Sequence, residues 1–266
     1  MTIHHLDCAT MCPLGGRALL GSGGSLTGRM VGHCLLVEGP EGLVLVDTGF
    51  GTRDVAEPAR VGRGLLLAAR PRFSLAGTAL HQVRALGHDP RDVRDIVLTH
   101  LDADHAGGIS DFPDARVHVL AEELAAARHP RTSNERQRYR SVQWSHGPKW
   151  VEHSLEGESW YGFSAARVLD APEVLLVPLA GHTRGHSAVA VRSGDGWLLH
   201  SGDAYFHHRE AYGRAPLMLR LFQRSLATDN AARLHNQARL RALRLDHERE
   251  IDVFCAHDAH ELGRFR

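Results

Sequence analysis

The 266-residue chain predicts an α/β fold. Short apolar runs bounded by glycine and proline alternate with stretches of helical period. Several of the runs end alike, in a glycine and a ligand-type side chain. The densest case is His100-Leu101-Asp102-Ala103-Asp104-His105-Ala106-Gly107-Gly108, with two histidines and two aspartates in six residues. A buried strand over 95–99 runs straight into it. A strand that delivers four such side chains to a loop is how a rigid scaffold places a metal site. The plain alternative is a polar turn. The chain has 20 histidines, so only clustered ones count.

In chain order, a first strand is expected over 2–6. Pro13-Leu14-Gly15-Gly16 and Gly21-Ser22-Gly23-Gly24 signal turns and loops. Strands over 31–38 and 43–47 flank Gly39-Pro40-Glu41-Gly42 and form a hairpin. The return strand stops at Asp47, and a carboxylate at a buried strand end needs hydrogen bonds or a nearby cation. Asp47 is therefore expected to support the site rather than bind metal directly. Residues 52–74 read as a loop with a short helix bordering the site, or as part of a homodimer contact. A helix over 75–86 has Ser74 as N-cap, Gly87 past its end and an apolar face.

After the central cluster come a strand over 115–120 and a helix over 121–128, whose first-turn glutamates suit the helix dipole. Residues 129–162 read as irregular. They hold Trp144, Trp150 and Trp160, and are long for a plain connection. A lid over a substrate pocket and a surface excursion anchored by tryptophans are both open. A strand over 174–179 leads to Gly181-His182-Thr183, and a strand over 187–191 turns at Gly194-Asp195-Gly196. The next strand, over 197–200, leads to Gly202-Asp203. Residues 216–245 read as helical, with Leu217, Leu221, Leu234, Leu240 and Leu243 as core candidates. A last strand over 251–256 ends at His257.

The length fits one domain spanning 1–266. Basic and acidic residues balance at 31 each, so no nucleic-acid footprint or membrane-attracting face is expected. Cys8, Cys12, Cys34 and Cys255 lack the two close pairs of a cysteine zinc site, and reduced thiols are expected. Neither a signal peptide nor a membrane-spanning run is visible, and a cytoplasmic location is expected.

His100, Asp102, Asp104, His105, His182, Asp203 and His257 are the strand-end ligand candidates. One catalytic metal takes three or four protein ligands with an open position. Seven suffice for two divalent cations that share a carboxylate, held about 3.5–4 Å apart. Such a pair supplies metal-bound hydroxide at neutral pH. No G-x-S-x-G nucleophile elbow competes with that chemistry.

With these motifs the chain resembles the metallo-β-lactamase-fold metallohydrolases. The resemblance rests on Asp47-Thr48-Gly49, His100-x-Asp102-x-Asp104-His105, Gly181-His182-Thr183, Gly202-Asp203 and Ala256-His257-Asp258, in the family's order and over nearly the whole chain. It implies a four-layer αβ/βα sandwich of two mixed β-sheets flanked by helices, with the site at one edge. It also implies that His100, Asp102 and His182 hold one metal, that Asp104, His105 and His257 hold the other, and that Asp203 bridges. His186 matches a supporting position, and His260 matches none. The family's usual motif has histidine where this chain has Asp102. A carboxylate there shifts preference from zinc toward iron or manganese. The flavodiiron proteins resemble the chain in having a carboxylate at that position.

The resemblance implies a hydrolase in which metal-bound hydroxide attacks an ester, lactone or related carbonyl of a small-molecule substrate. Asp104 and Tyr205 are the catalytic candidates, with Tyr205 offset by one from the family's tyrosine, where Phe206 stands. Phe50, Trp144, Trp150 and Tyr205 are candidate pocket walls. The alternatives are a diiron redox enzyme of the same fold and a non-catalytic small-molecule-binding protein.

Overall fold

The computed structural model describes residues 1–20, 26–155 and 158–265. The loop expected at 21–24 lies outside the described residues. The first sheet orders β1 (Ile3–Asp7), β2 (His33–Gly39), β3 (Gly42–Val46), β4 (Val93–Val97), β5 (Arg116–Leu120) and β6 (Lys149–His153). β1, β2 and β3 pair antiparallel, and β3 to β6 pair parallel. The second sheet orders β7 (Glu158–Trp160), β8 (Phe163–Asp170), β9 (Glu173–Pro178), β10 (Ser187–Ser193), β11 (Gly196–His200) and β12 (Ile251–Phe254). It is antiparallel except where β11 meets β12. Both sheets are mixed.

Side-chain alternation explains the layers. Leu35, Val37, Val44, Val46 and Val97 leave the first sheet on one face. They meet Ala166, Val174, Leu176, Val189, Val191 and Phe254 of the second. The opposite face of the first sheet sends Leu36, Leu45, Ile96 and Val117 toward Val83 and Leu124 of its covering helices. The outer face of the second buries Leu175, Val177 and Leu199 with Leu240 and Leu243 of the helix Asn230–Asp246. Helices, two sheets and helices therefore stack as the expected four layers. Strands covered on both faces read as continuous apolar runs.

Three local expectations change. The helix expected over 75–86 is a 3-10 turn, Leu75–Gly77, followed by Ala79–Ala85. Thr78, not Ser74, is its cap, because the Thr78 hydroxyl accepts from His81 N. The described residues of the segment 129–162 are not wholly irregular. They supply the helix Ser133–Arg138, started by a Thr132–Glu135 capping box, and the edge strands β6 and β7. Trp144 and Trp150 pack on the first sheet's outer core, and Trp160 lies in the second's. Leu217, Leu221 and Leu234 are exposed, while Leu240 and Leu243 are buried as expected. The helical stretch breaks between Leu217–Leu226 and Asn230–Asp246, where Asp229 caps the second helix. Within the first of these helices Leu219 faces inward, while Leu217 and Leu221 on either side of it face out.

Candidate metal centre

The loops after β3, β4, β9, β11 and β12 meet at one edge of the sandwich. Strand carboxyl ends are where open α/β sheets leave room for a site. His100, Asp102, His182 and Asp203 bring one ligand-type atom each within 4.8 Å of one another, and Asp104, His105 and His257 form a second such group. Asp203 faces both. Its Oδ2 is 3.3 Å from His182 Nε2 and 3.9 Å from His100 Nε2. Its Oδ1 is 3.0 Å from His257 Nε2 and 3.2 Å from His105 Nε2. Asp104 Oδ2 completes the second group, 3.5 Å from His257 and 3.7 Å from His105.

Hydrogen bonds behind the rings fix which nitrogen faces inward. Asp47 Oδ1 accepts from Thr99 N at 2.8 Å, and its Oδ2 accepts from the Thr99 hydroxyl at 2.8 Å and from His105 Nδ1 at 2.8 Å. The Thr99 oxygen, having donated to Asp47, accepts from His100 Nδ1 at 3.0 Å. His257 Nδ1 donates to Val31 O at 2.8 Å. Each ring thus keeps its proton on Nδ1 and turns an Nε2 lone pair toward carboxylate oxygens. His186 is different. Its Nδ1 donates to Leu179 O, and its Nε2 accepts from Asp203 N at 2.9 Å. It holds the backbone of Asp203. Gly202 makes this approach possible at φ +53°, since a Cβ there would stand 2.7 Å from His186 Nε2.

Charge is concentrated here. Burial favours the neutral Asp203 carboxyl, but His257, His105 and His182 reverse this and hold it well below the usual carboxylate range. Burial disfavours charge on His105, yet Asp203, Asp104 and Asp47 push its pKa well above the ordinary histidine value, so without a cation a second proton sits on Nε2, and a cation would take that proton's place. Burial and then Arg138 push His182 down to about 4. His100 Nε2, His105 Nε2, Asp102 Oδ1 and Asp203 Oδ1 are buried without a hydrogen-bond partner. Buried polar atoms left without partners among two groups of ligand-type side chains fit a divalent cation.

A cavity of about 220 Å³ opens over this floor. Met11, Met30, Leu65, Phe206, Phe222 and Leu226 give it apolar walls, and Asn134, Gln137 and Arg138 a polar one. Val61, Gly64 and Leu65 of the stretch 52–74 border the site as expected. The expected walls differ. Phe50, Trp144, Trp150 and Tyr205 are absent from the lining. Tyr205 is also corrected as a catalytic candidate. It is buried in the second sheet's outer core, and its hydroxyl donates to Glu261 at 3.0 Å. Phe206 occupies the pocket instead, edge-on to His257 with ring centroids 5.0 Å apart.

Nothing in the spacing of residue types singles out Arg138, Thr99 or Glu123. Glu123, read as a dipole residue, is fully buried beneath the site. Its carboxylate accepts from Leu101 N at 3.0 Å, Gly185 N at 3.0 Å and the Tyr139 hydroxyl at 3.2 Å. It thereby ties the His100 loop to the His182 loop. Glu123→Ala is expected to cost about 3 kcal/mol by stranding these donors, or about 8 °C in Tm. Thermal unfolding at an unchanged Tm would refute the clamp.

A two-sheet sandwich with two clusters of ligand-type side chains at its edge, and the relatives it has, make this a metal-dependent hydrolase. The chain belongs to the metallo-beta-lactamase superfamily, whose pattern it matches over residues 27–257. It is 47% identical over 262 residues to a probable metallo-hydrolase of Mycobacterium tuberculosis, covering 96% of this chain and 80% of the relative. It is 26% identical over 164 residues to an N-acyl homoserine lactonase of Agrobacterium fabrum, covering 59% of this chain and 58% of that one. Its fold is similar to Bacillus thuringiensis AiiA with N-decanoyl-L-homoserine bound at the active site. There the TM-score is 0.76 at 21% identity, covering 99% of this chain and 96% of that one. No described helix is long and apolar enough to cross a membrane.

Proposed function

We propose that the chain hydrolyses a lactone or ester that carries an apolar acyl group, using two divalent cations. The observation that carries this reading is Asp203, whose two oxygens each address one cluster of inward-facing histidines. His100, Asp102, His182 and Asp203 would hold the first cation, and Asp104, His105, His257 and Asp203 the second. Imidazole with carboxylate suits zinc, and the extra carboxylate of Asp102 admits iron or manganese. The chemistry supplied by a bound cation pair is activation of water and polarisation of a carbonyl.

The chain's own residues do the rest. Met11, Met30, Leu65, Phe222 and Leu226 take the apolar part of the substrate and exclude water from the reacting carbonyl. Asp47 and His186 hold His105 and Asp203 in register. Asp104 Oδ2 lies on the pocket floor beside His257 and His105. The carboxylate oxygen of Asp104 not turned to the cation would take the proton released as water attacks and return it to the leaving oxygen. A lactone that carries an acyl group also matches what the N-acyl homoserine lactonase relatives act on, by their names.

The test is elemental analysis of protein purified without added metal, for wild type and Asp102→Ala, followed by a screen of lactones and aryl esters. Two zinc ions per chain, falling to about one in the variant, with lactone or ester turnover, is the expected result. Two irons with oxygen uptake would favour the diiron reading. No cation and no turnover would leave a binding protein.

A further inference from the structure

Asp102 has a partner that the other carboxylates of the centre lack. Arg138, the last residue of the helix Ser133–Arg138, donates from Nη1 to Asp102 Oδ2 at 3.0 Å. Its Nη2 donates to Leu226 O, at the end of Leu217–Leu226, at 2.5 Å. Its side chain is only 6% exposed. The same Asp102 oxygen lies 3.1 Å from His182 Nε2 and 3.4 Å from His100 Nε2.

A carboxylate oxygen has two lone pairs. On Asp102 Oδ2, one serves the guanidinium and the other faces the histidine pair. Arg138 has both terminal nitrogens engaged by protein, so it is not set out to grip a substrate anion. Among the described residues lining the pocket it is the one side chain with a permanent positive charge, and it stands over a floor that includes Asp102, Asp104 and Asp203. Its fork reaches from the ligand cluster to a pocket-wall helix, which fixes its own position.

We propose that Arg138 is a positioning residue for the first cation: it aims Asp102 Oδ2 at His100 and His182 and offsets its charge, and so sets how tightly that position is filled. The inference rests on the two-cation reading above. A partner that orients a ligand typically changes metal affinity by about 10–100-fold when removed.

The experiment is stepwise Co2+ titration of the full chain, followed by its visible spectrum, with zinc affinities from competition against a chelator. It compares wild type, Arg138→Met, Arg138→Lys, Asp102→Asn and the Asp102→Asn/Arg138→Met double variant. Arg138→Met is expected to weaken one of two steps about tenfold, to leave the other in place and to change the Co2+ spectrum. Arg138→Lys recovers part of the loss, since it keeps the charge but not the fork to Leu226. In the Asp102→Asn background, Arg138→Met adds nothing, because the two residues act as one unit.

An unchanged titration and spectrum in Arg138→Met would overturn the proposal. So would an equal loss in the Asp102→Asn background, which would make Arg138 mere wall packing. If Arg138→Met fails to fold, Arg138→Lys against wild type decides, and identical spectra and affinities there refute it. A wild type that takes up no Co2+ would remove the two-cation reading itself, an outcome distinct from the others.

Discussion

Asp203→Asn is expected to lower kcat/KM for the best lactone or ester by on the order of a thousandfold, about 4 kcal/mol of transition-state stabilisation. The substitution keeps the shape of the side chain. It also keeps the backbone N–H that donates to His186, so the loop after β11 retains its anchor. What changes is the charge and one acceptor. Asp203 is the group that faces both clusters, 3.3 Å from His182 on one side and 3.0 Å from His257 on the other. An amide must turn its NH2 toward one of them, and that cluster then meets a donor where it needs a lone pair. Cation content should fall below two per chain in the same preparation. A variant with both cations and kcat/KM within about threefold of wild type would show that Asp203 is not the shared group.

Much of this centre was legible because its ligand candidates are local. His100, Asp102, Asp104 and His105 fall within six residues, running from just past the end of β4 into the short helix Ala103–Ala106, and each remaining ligand candidate follows a strand that announces itself as an apolar run. The two sheets followed from the same runs, since strands buried on both faces are apolar at every position. The four-layer arrangement came from the resemblance. What stayed hidden depends on phase or on distance along the chain. Tyr205 and Phe206 are neighbours in a turn, and only the path of that turn sends Tyr205 to Glu261 and Phe206 to His257. Leu217 and Leu221 lie on the exposed side of Leu217–Leu226 and Leu234 on the exposed side of Asn230–Asp246, and leucine content alone does not tell which side of a helix is covered. Arg138 meets Asp102 across 36 residues of separation. Its segment reads as irregular because edge strands such as β6, half covered, carry no continuous apolar run. Glu123 obeys the helix-dipole rule and also serves the site, and the first role conceals the second.

Asp47→Asn is expected to weaken cation binding in the second cluster by about a hundredfold while leaving the fold nearly unchanged. Every group around the Asp47 carboxylate is a donor: Thr99 N, the Thr99 hydroxyl and His105 Nδ1. Asparagine offers one oxygen and one NH2. If its oxygen meets Thr99 N, its NH2 faces His105 Nδ1. The ring then shifts its proton to Nε2, which points at Asp203 and Asp104. A protonated Nε2 is no ligand. If the amide is flipped, its NH2 faces the buried Thr99 N–H instead, and a stranded donor costs about 1–3 kcal/mol. The first placement is therefore the lower in energy, and it is the one that disables His105. Stepwise metal titration checks the expectation. Loss of one step, with the Asp102 and Arg138 side of the centre still filled, is the expected outcome. Two intact steps would show that the inward face of His105 does not depend on Asp47, and the proton bookkeeping that supports the second cation position would fall with it.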